Sequence, residues 1–253
     1  MCQMFEFSLT RGVSGIEDTM ELPGNKMRSM GYKVQSMLID DRNGEEAEKR
    51  ADEALRVSLR LGESAIILGE VRGEEAKTLY QSMSTGRAGS SIMGTIHGDC
   101  ARTVYNRVTK DLQVPPESFM GTDFIITMGT VKDRGSGRQA RKVAEFVSTT
   151  KRPGYFIDVS TKTGLMESAR FMKILRSNSI GKEDALREIE IRARLREFLA
   201  KMADAEGDGF YGPEWIVLAN DHLSRCISSG MKDADEIVDS FKKKFSDFQG
   251  RSQ

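Results

Sequence analysis

The stretch "SAIILGEVRGEEAKTLYQ", Ser64 to Gln81, decides the fold. Ala65 to Leu68 form an unbroken apolar run, the signature of a strand covered on both faces, as in a parallel sheet. The run passes through Gly69 into Glu70, with Arg72 two residues later and a helix beginning at once. A buried strand that ends by presenting a carboxylate places an ionisable group at the sheet's carboxyl edge. Open parallel sheets receive their ligands at that edge.

Outward from this stretch, two periodicities alternate. "EEAEKRADEALRVSLRLG", Glu45 to Gly62, predicts a helix with Ala47, Ala51, Ala54, Leu55 and Leu59 near one face and Gly62 as its stop. "EEAKTLYQSMSTG" predicts another, with Ala76, Leu79, Tyr80 and Met83 on one stripe. "SSIMGTIHG" reads as a strand, "DCARTVYNRVTKDL" as a helix and "DFIITMG" as a further strand. This alternation predicts an α/β fold: a mostly parallel sheet flanked by helices, with Ala65–Gly69, Ile92–Ile96 and Phe124–Met128 side by side. Glu70 and His97 then share one edge. After residue 130, Lys142–Ser148 and Tyr155–Ser160 predict an antiparallel pair turned around "KRPG". The basic stretch "VKDRGSGRQARK" precedes it and lacks interleaved aromatics, so it reads as a solvated hairpin loop rather than an RNA contact. From Leu165 the pattern is helical, with Ala185, Ile189, Leu195, Leu199 and Met202 along a stripe. The expected domains are 1–163 and a helical region 164–253.

Bulk composition narrows the function. Lys plus Arg and Asp plus Glu number 38 each, so no net field recruits nucleic acid. Cys2, Cys100 and Cys226 are too few for a disulfide framework, which fits a reducing cytoplasm. No apolar run approaches the roughly 18 residues of a membrane helix, and "MCQMFEFSLTRG" has no signal-peptide architecture. His97 with Cys100 and His222 with Cys226 carry zinc-ligand residue types, but no spacing joins the two pairs. Acidic groups after a strand at Arg11–Ile16 (Glu17, Asp18 and Glu21), with Glu70 and His97, form a candidate site for a metal-bound phosphate.

Three motifs in order resemble the type II/type IV secretion and pilus ATPases, with archaeal wording. "EALRVSLRLGESAIILGEVRGEEA" resembles their Walker B region, "GTIHGDCARTVYNRV" their histidine box and "GIEDTMELP" their aspartate box. The resemblance implies a RecA-like core and a hexameric, ATP-hydrolysing motor that uses Mg2+ and works with a membrane platform protein. Such a motor lies in the cytoplasm against the inner face of the membrane. It implies Glu21, Glu70 and His97 as catalytic residues, with Glu70 reaching magnesium through water. It implies nucleotide-site roles for Glu17, Asp18, Arg56, Arg60, Gly69 and Arg72. One departure is large: the sequence has no G-x-x-x-x-G-K-[ST] phosphate loop. The expectation is the carboxyl-terminal part of a motor whose phosphate loop lies on an upstream piece. The alternative is a nucleotide-free subunit that keeps the fold as an interaction module.

Overall fold

In a computed structural model of the chain, the described residues are 9, 11–39, 44–61, 65–85, 91–132, 139–207 and 212–249. Ala65–Leu68 is β3, and all its residues are buried. It pairs with β1 (Gly12–Glu17) on one side and β4 (Ser91–Gly94) on the other, both parallel. β2 (Lys33–Leu38) lies outside β1, giving the order β2-β1-β3-β4. The expected parallel sheet flanked by helices is therefore present, with Ile16, Leu68 and Gly94 level across it.

Each parallel step needs a crossover. Those crossovers carry α1 (Gly24–Ser29), α2 (Gly44–Leu61) and α3 (Glu75–Thr85). The stripe read for α3 faces inward: Ala76, Leu79 and Tyr80 are buried, and Met83 packs against the same core. Leu55 of α2 is fully buried there with Ile66 and Leu68. Each such side chain contributes about 1.5–3 kcal/mol on leaving water. The Ser14 and Ser58 hydroxyls, both buried, satisfy one another at 2.9 Å between β1 and α2.

The helix at Ala101–Asn106 (α4) passes into a π-helical turn at Arg107–Asp111. A short α5 (Pro116–Phe119) follows and inserts Phe119, which stacks on Tyr80 at 5.5 Å and meets Tyr105 edge-on at 5.1 Å. Gly121 is needed next, because a Cβ there would lie 2.5 Å from the Ser84 nitrogen of α3.

The strand at Phe124–Met128 corrects the sequence expectation. β5 (Phe124–Lys132) does not join β3 and β4. It pairs antiparallel with β6 (Gln139–Thr149), which pairs with β7 (Phe156–Asp158), in a second sheet. An apolar run specifies a strand but not its neighbour, and the short connection to β6 favours a hairpin. The pair expected around "KRPG" is β6 and β7. α6 (Lys162–Glu167) and α7 (Ala169–Ser177) follow, with Ser168 Oγ donating to Ser148 Oγ at 2.8 Å.

The chain divides into two compact units, one spanning Leu9–Ile174 and the other containing Leu175–Gln253. The second holds α8 (Lys182–Glu206), α9 (Pro213–Ser228) and α10 (Ala234–Gln249). Its core joins Ile191, Leu195 and Leu199 to Leu223, Ile237, Phe241 and Phe245. Ile189, expected on the stripe, is 44% exposed. The buried row runs 191, 195, 199, and a residue two positions before it falls on the opposite side of a 3.6-residue helix. Among the described residues, no helix is long and apolar enough to cross a membrane.

Candidate functional site

Parallel register delivers β1, β3 and β4 to one edge. The Gly69 N–H donates to the Ile16 carbonyl at 2.8 Å, and the Val71 N–H to the Thr95 carbonyl at 2.8 Å. The Thr95 hydroxyl donates to the Gly69 carbonyl. The three strand ends are thus tied together just before their charged residues. Gly69 also lets the chain pass close to β1, since a Cβ there would sit 3.3 Å from Glu17 Cγ.

Beyond that tie, Arg72 bridges two strand ends. Its Nη1 lies 2.7 Å from Asp18 Oδ2 and its Nη2 2.5 Å from Glu70 Oε2. His97 Nε2 stands 3.2 Å from the other Glu70 oxygen, Oε1. Both oxygens of Glu70 are therefore engaged, one from its own loop and one from the end of β4. The hydrogen bond from Arg72 holds the Glu70 carboxyl below its ordinary range. Partial burial works against this, and the charges of Arg72, His97 and Arg107 assist it. The expectation that Glu70 and His97 share an edge is met by direct contact. The His97 side chain is 79% exposed, against 20% for Glu70, so this pair faces solvent on the histidine side.

The remaining residues marked in the sequence divide. Glu17 is 5% exposed, and its Oε1 accepts from the backbone N–H groups of Glu21 at 2.8 Å and Leu22 at 2.6 Å. It fixes the turn after β1, its Oε1 spent on those two N–H groups. Glu21 is exposed. Arg56 pairs with Asp52 at 2.7 Å and donates to the Thr78 hydroxyl at 3.0 Å, so it joins α2 to α3. Arg60 is exposed on α2. Sequence reading missed Glu75, which is 3% exposed. Its Oε1 accepts from the N–H groups of Arg72 at 2.7 Å and Gly73 at 3.0 Å. A glutamate reaching back to loop N–H groups at a helix start is a capping signal. "VRGEEA" contains that signal in its second glutamate. This cap sets the backbone from which Arg72 reaches both carboxylates.

A cleft of about 410 Å³ opens beside His97, lined also by Thr103, Asn106, Arg107 and Lys110. The N-terminus of α4 is closed from below: Cys100 Sγ accepts from the Thr103 N–H, and Glu145 Oε2 accepts from the Ala101 N–H at 2.7 Å. Among the described residues, no group of three or more His, Cys, Asp or Glu converges as a metal cage. His222 and Cys226 lie on α9 in the helical core, and their contact is with one another and with α10.

The family profile described as "Type II/IV secretion system protein" matches residues 3–121. Over just under half of the chain, the protein is thus similar to that family. The matched region holds Asp18, Glu70, Arg72 and His97, and it ends before β5. Two uncharacterized proteins of Methanocaldococcus jannaschii are similar. MJ1287 is 40% identical over 68 residues, 27% of this chain and 24% of its own length. MJ0900 is 28% identical over 125 residues, 49% of this chain and 21% of its own length. The chain thus spans under a quarter of the length of these curated relatives. Among solved structures, the VirB11 ATPase of the Brucella suis type IV secretion system aligns with a TM-score of 0.43 and 19% identity, over 58% of this chain and 44% of that one. The Legionella pneumophila ATPase DotB aligns at 0.46 and 15%, over 69% and 46%. The pilus retraction motor PilT aligns at 0.42 and 16%, over 70% and 47%.

Proposed function

We propose that the chain is the catalytic-edge portion of an ATP-hydrolysing motor of a type II/IV-like secretion or pilus system. The observation that carries this reading is the Asp18–Arg72–Glu70–His97 chain at the carboxyl edge of a parallel sheet, within the segment that matches the family. Glu70, kept ionised by Arg72, is the group that orients or deprotonates an attacking water. His97, in contact with Glu70 and open to solvent, is the group placed to sense the terminal phosphate. Glu21, exposed beside the same edge, is a second carboxylate available to that water. Gly69, Glu17 and Glu75 hold the loops from which these side chains project. Arg56 and Arg60 stand back on α2.

Magnesium fits this donor set as a water-mediated partner. The ion keeps most of its waters and takes one or two carboxylates, which Glu70 and Asp18 would supply here. When bound, it neutralises charge on the phosphate oxygens. The site offers carboxylates and an imidazole but no anion cradle, and the sequence has no G-x-x-x-x-G-K-[ST]. The phosphate loop in this reading comes from outside these 253 residues. The working assembly is a hexameric ring on the cytoplasmic side of a membrane platform.

The test has two arms. A family phosphate-loop segment fused ahead of Met1 should give magnesium-dependent ATP hydrolysis. The 253-residue chain alone, titrated calorimetrically with Mg-ATP, should show little heat, because the missing charge-assisted contacts are worth about 1.5–3 kcal/mol each. Stoichiometric micromolar binding by the chain alone would mean that another segment holds the phosphates. A fused chain that folds yet never hydrolyses ATP would favour the nucleotide-free interaction module. That second reading draws on the full engagement of Glu70 by Arg72 and His97.

A further inference from the structure

The hairpin of β5 and β6 changes character at its irregularity. Register shifts between Thr127 and Met128. On the inner side of that bulge Thr127, Val147, Ser148 and Thr149 are buried. On the outer side, residues 128–132 and 139–144 are exposed, apart from half-buried Gly129. The outer part is a two-stranded ribbon covered on neither face. Such a ribbon is marginal alone in water.

Its residue content is specific. Met128 and Val143 stand directly opposite one another, 55% and 59% exposed, and Val131 is 46% exposed. Around them are Lys132, Arg141 and Lys142, all exposed, with no acidic residue in 128–132 or 139–144. The nearest carboxylate on β6, Glu145, is taken by the Ala101 N–H of α4. Cations and apolar side chains are thus interleaved on one short element of a chain whose overall formal charge is zero.

We propose that this ribbon docks on an anionic lipid surface. On the ribbon face that carries the Met128–Val143 pair, Lys132 and Arg141 meet the headgroup phosphates, and Met128 and Val143 enter the boundary beneath them. Attraction of basic residues to an anionic leaflet and shallow apolar burial reinforce each other at such a surface. A nucleic acid fits less well, because the ribbon carries no aromatic residue for a base to stack on. The inference rests on the ribbon alone and not on the chemistry of Glu70. It also gives the membrane-side placement proposed above a physical contact.

Sedimentation of the full chain with vesicles tests it. Vesicles of phosphatidylcholine with 30% phosphatidylglycerol should carry the protein down at low salt, whereas pure phosphatidylcholine vesicles should not. Lys132→Gln with Arg141→Gln should weaken partitioning on the order of 20-fold. Met128→Ser with Val143→Ser should weaken it several-fold while leaving circular dichroism unchanged. Equal binding to neutral and anionic vesicles would overturn the proposal, as would undiminished binding by the charge variant. Binding to duplex DNA or RNA with none to vesicles would also overturn it. None of these outcomes depends on whether the fused chain hydrolyses ATP.

Discussion

The chain has two histidines, and the molecule uses them in opposite ways. His97 follows β4 with its side chain 79% exposed and its ring against Glu70. His222 sits on α9 at 8% exposure. Its Nε2 lies 3.1 Å from the Ile237 carbonyl and 3.0 Å from Ser240 Oγ, and its ring lies against Phe241. One imidazole meets the Glu70 carboxylate at a solvent-facing edge. The other is enclosed by helices and fastens α9 to α10. The residue type is the same in both, but the surroundings separate a candidate for chemistry from a structural tie.

The sharpest way to break this contrast is at the partner of the first histidine. In the chain fused to a phosphate loop, Glu70→Gln should lower turnover by roughly 100- to 10,000-fold, the range for a lost general base, with nucleotide binding largely kept. A steady-state rate that does not move would assign the chemistry elsewhere. Next in size is His222→Ala. It removes a buried ring and an interhelical hydrogen bond, so the helical unit should lose about 2–3 kcal/mol. Urea unfolding followed by Trp215 fluorescence reads that unit directly. Trp215 is the only tryptophan of the chain and packs 4.7 Å from Phe245. An unchanged midpoint would remove the structural role.

Proton linkage gives a smaller effect of fixed sign. Burial lowers the pKa of His222, opposed by its bond to the Ile237 carbonyl and assisted by Lys244 and Arg225. The unfolded chain therefore binds the proton more readily. Stability of the helical unit should fall as pH drops below the ordinary histidine value of about 6.5 toward the lowered folded value. His222→Gln should flatten that slope when Trp215 unfolding is followed across pH. Smallest of all is Arg72→Gln. Arg72 is half exposed, and an ion pair of this kind is worth about 0.2–1 kcal/mol at most. Thermal unfolding should barely move, while the Glu70 carboxyl should titrate higher, as carboxyl-resolved NMR would show.

Much of the fold is legible in the amino-acid sequence. "AIIL" is buried on both faces and therefore apolar throughout, so β3 and the parallel sheet can be read directly. β2 cannot: "KVQSML" lies at the sheet's margin with mostly exposed residues, and an edge strand needs no apolar run. β5 is legible as a strand but not in its pairing, because partner choice depends on connection length and on residues far along the chain. At the site, the positions of Glu70, Arg72, Asp18 and His97 follow from strand ends. The division of labour among the acids does not. "IEDTMEL" places several carboxylates within one turn, and only backbone geometry shows that Glu17 folds inward to hold the turn while Asp18 reaches Arg72. Glu75 is hidden in the same way beside Glu74.

The π-helical turn at Arg107–Asp111 has a meaning for chain length. A π turn is an α-helix that has accepted an extra residue without disturbing its flanks. On one side Val104 remains in the core, and on the other Val114 and Phe119 are buried as well. Thr109 sits within it, its hydroxyl spent on the Tyr105 carbonyl of the same helix. An insertion or deletion of a single residue here would alter the wall of the His97 cleft, which Arg107 and Lys110 line, and would also shift Val108, which is fully buried in the core. The length of chain between His97 and Val114 is therefore a setting of the cleft, held in register with the core by Val108 and Phe119.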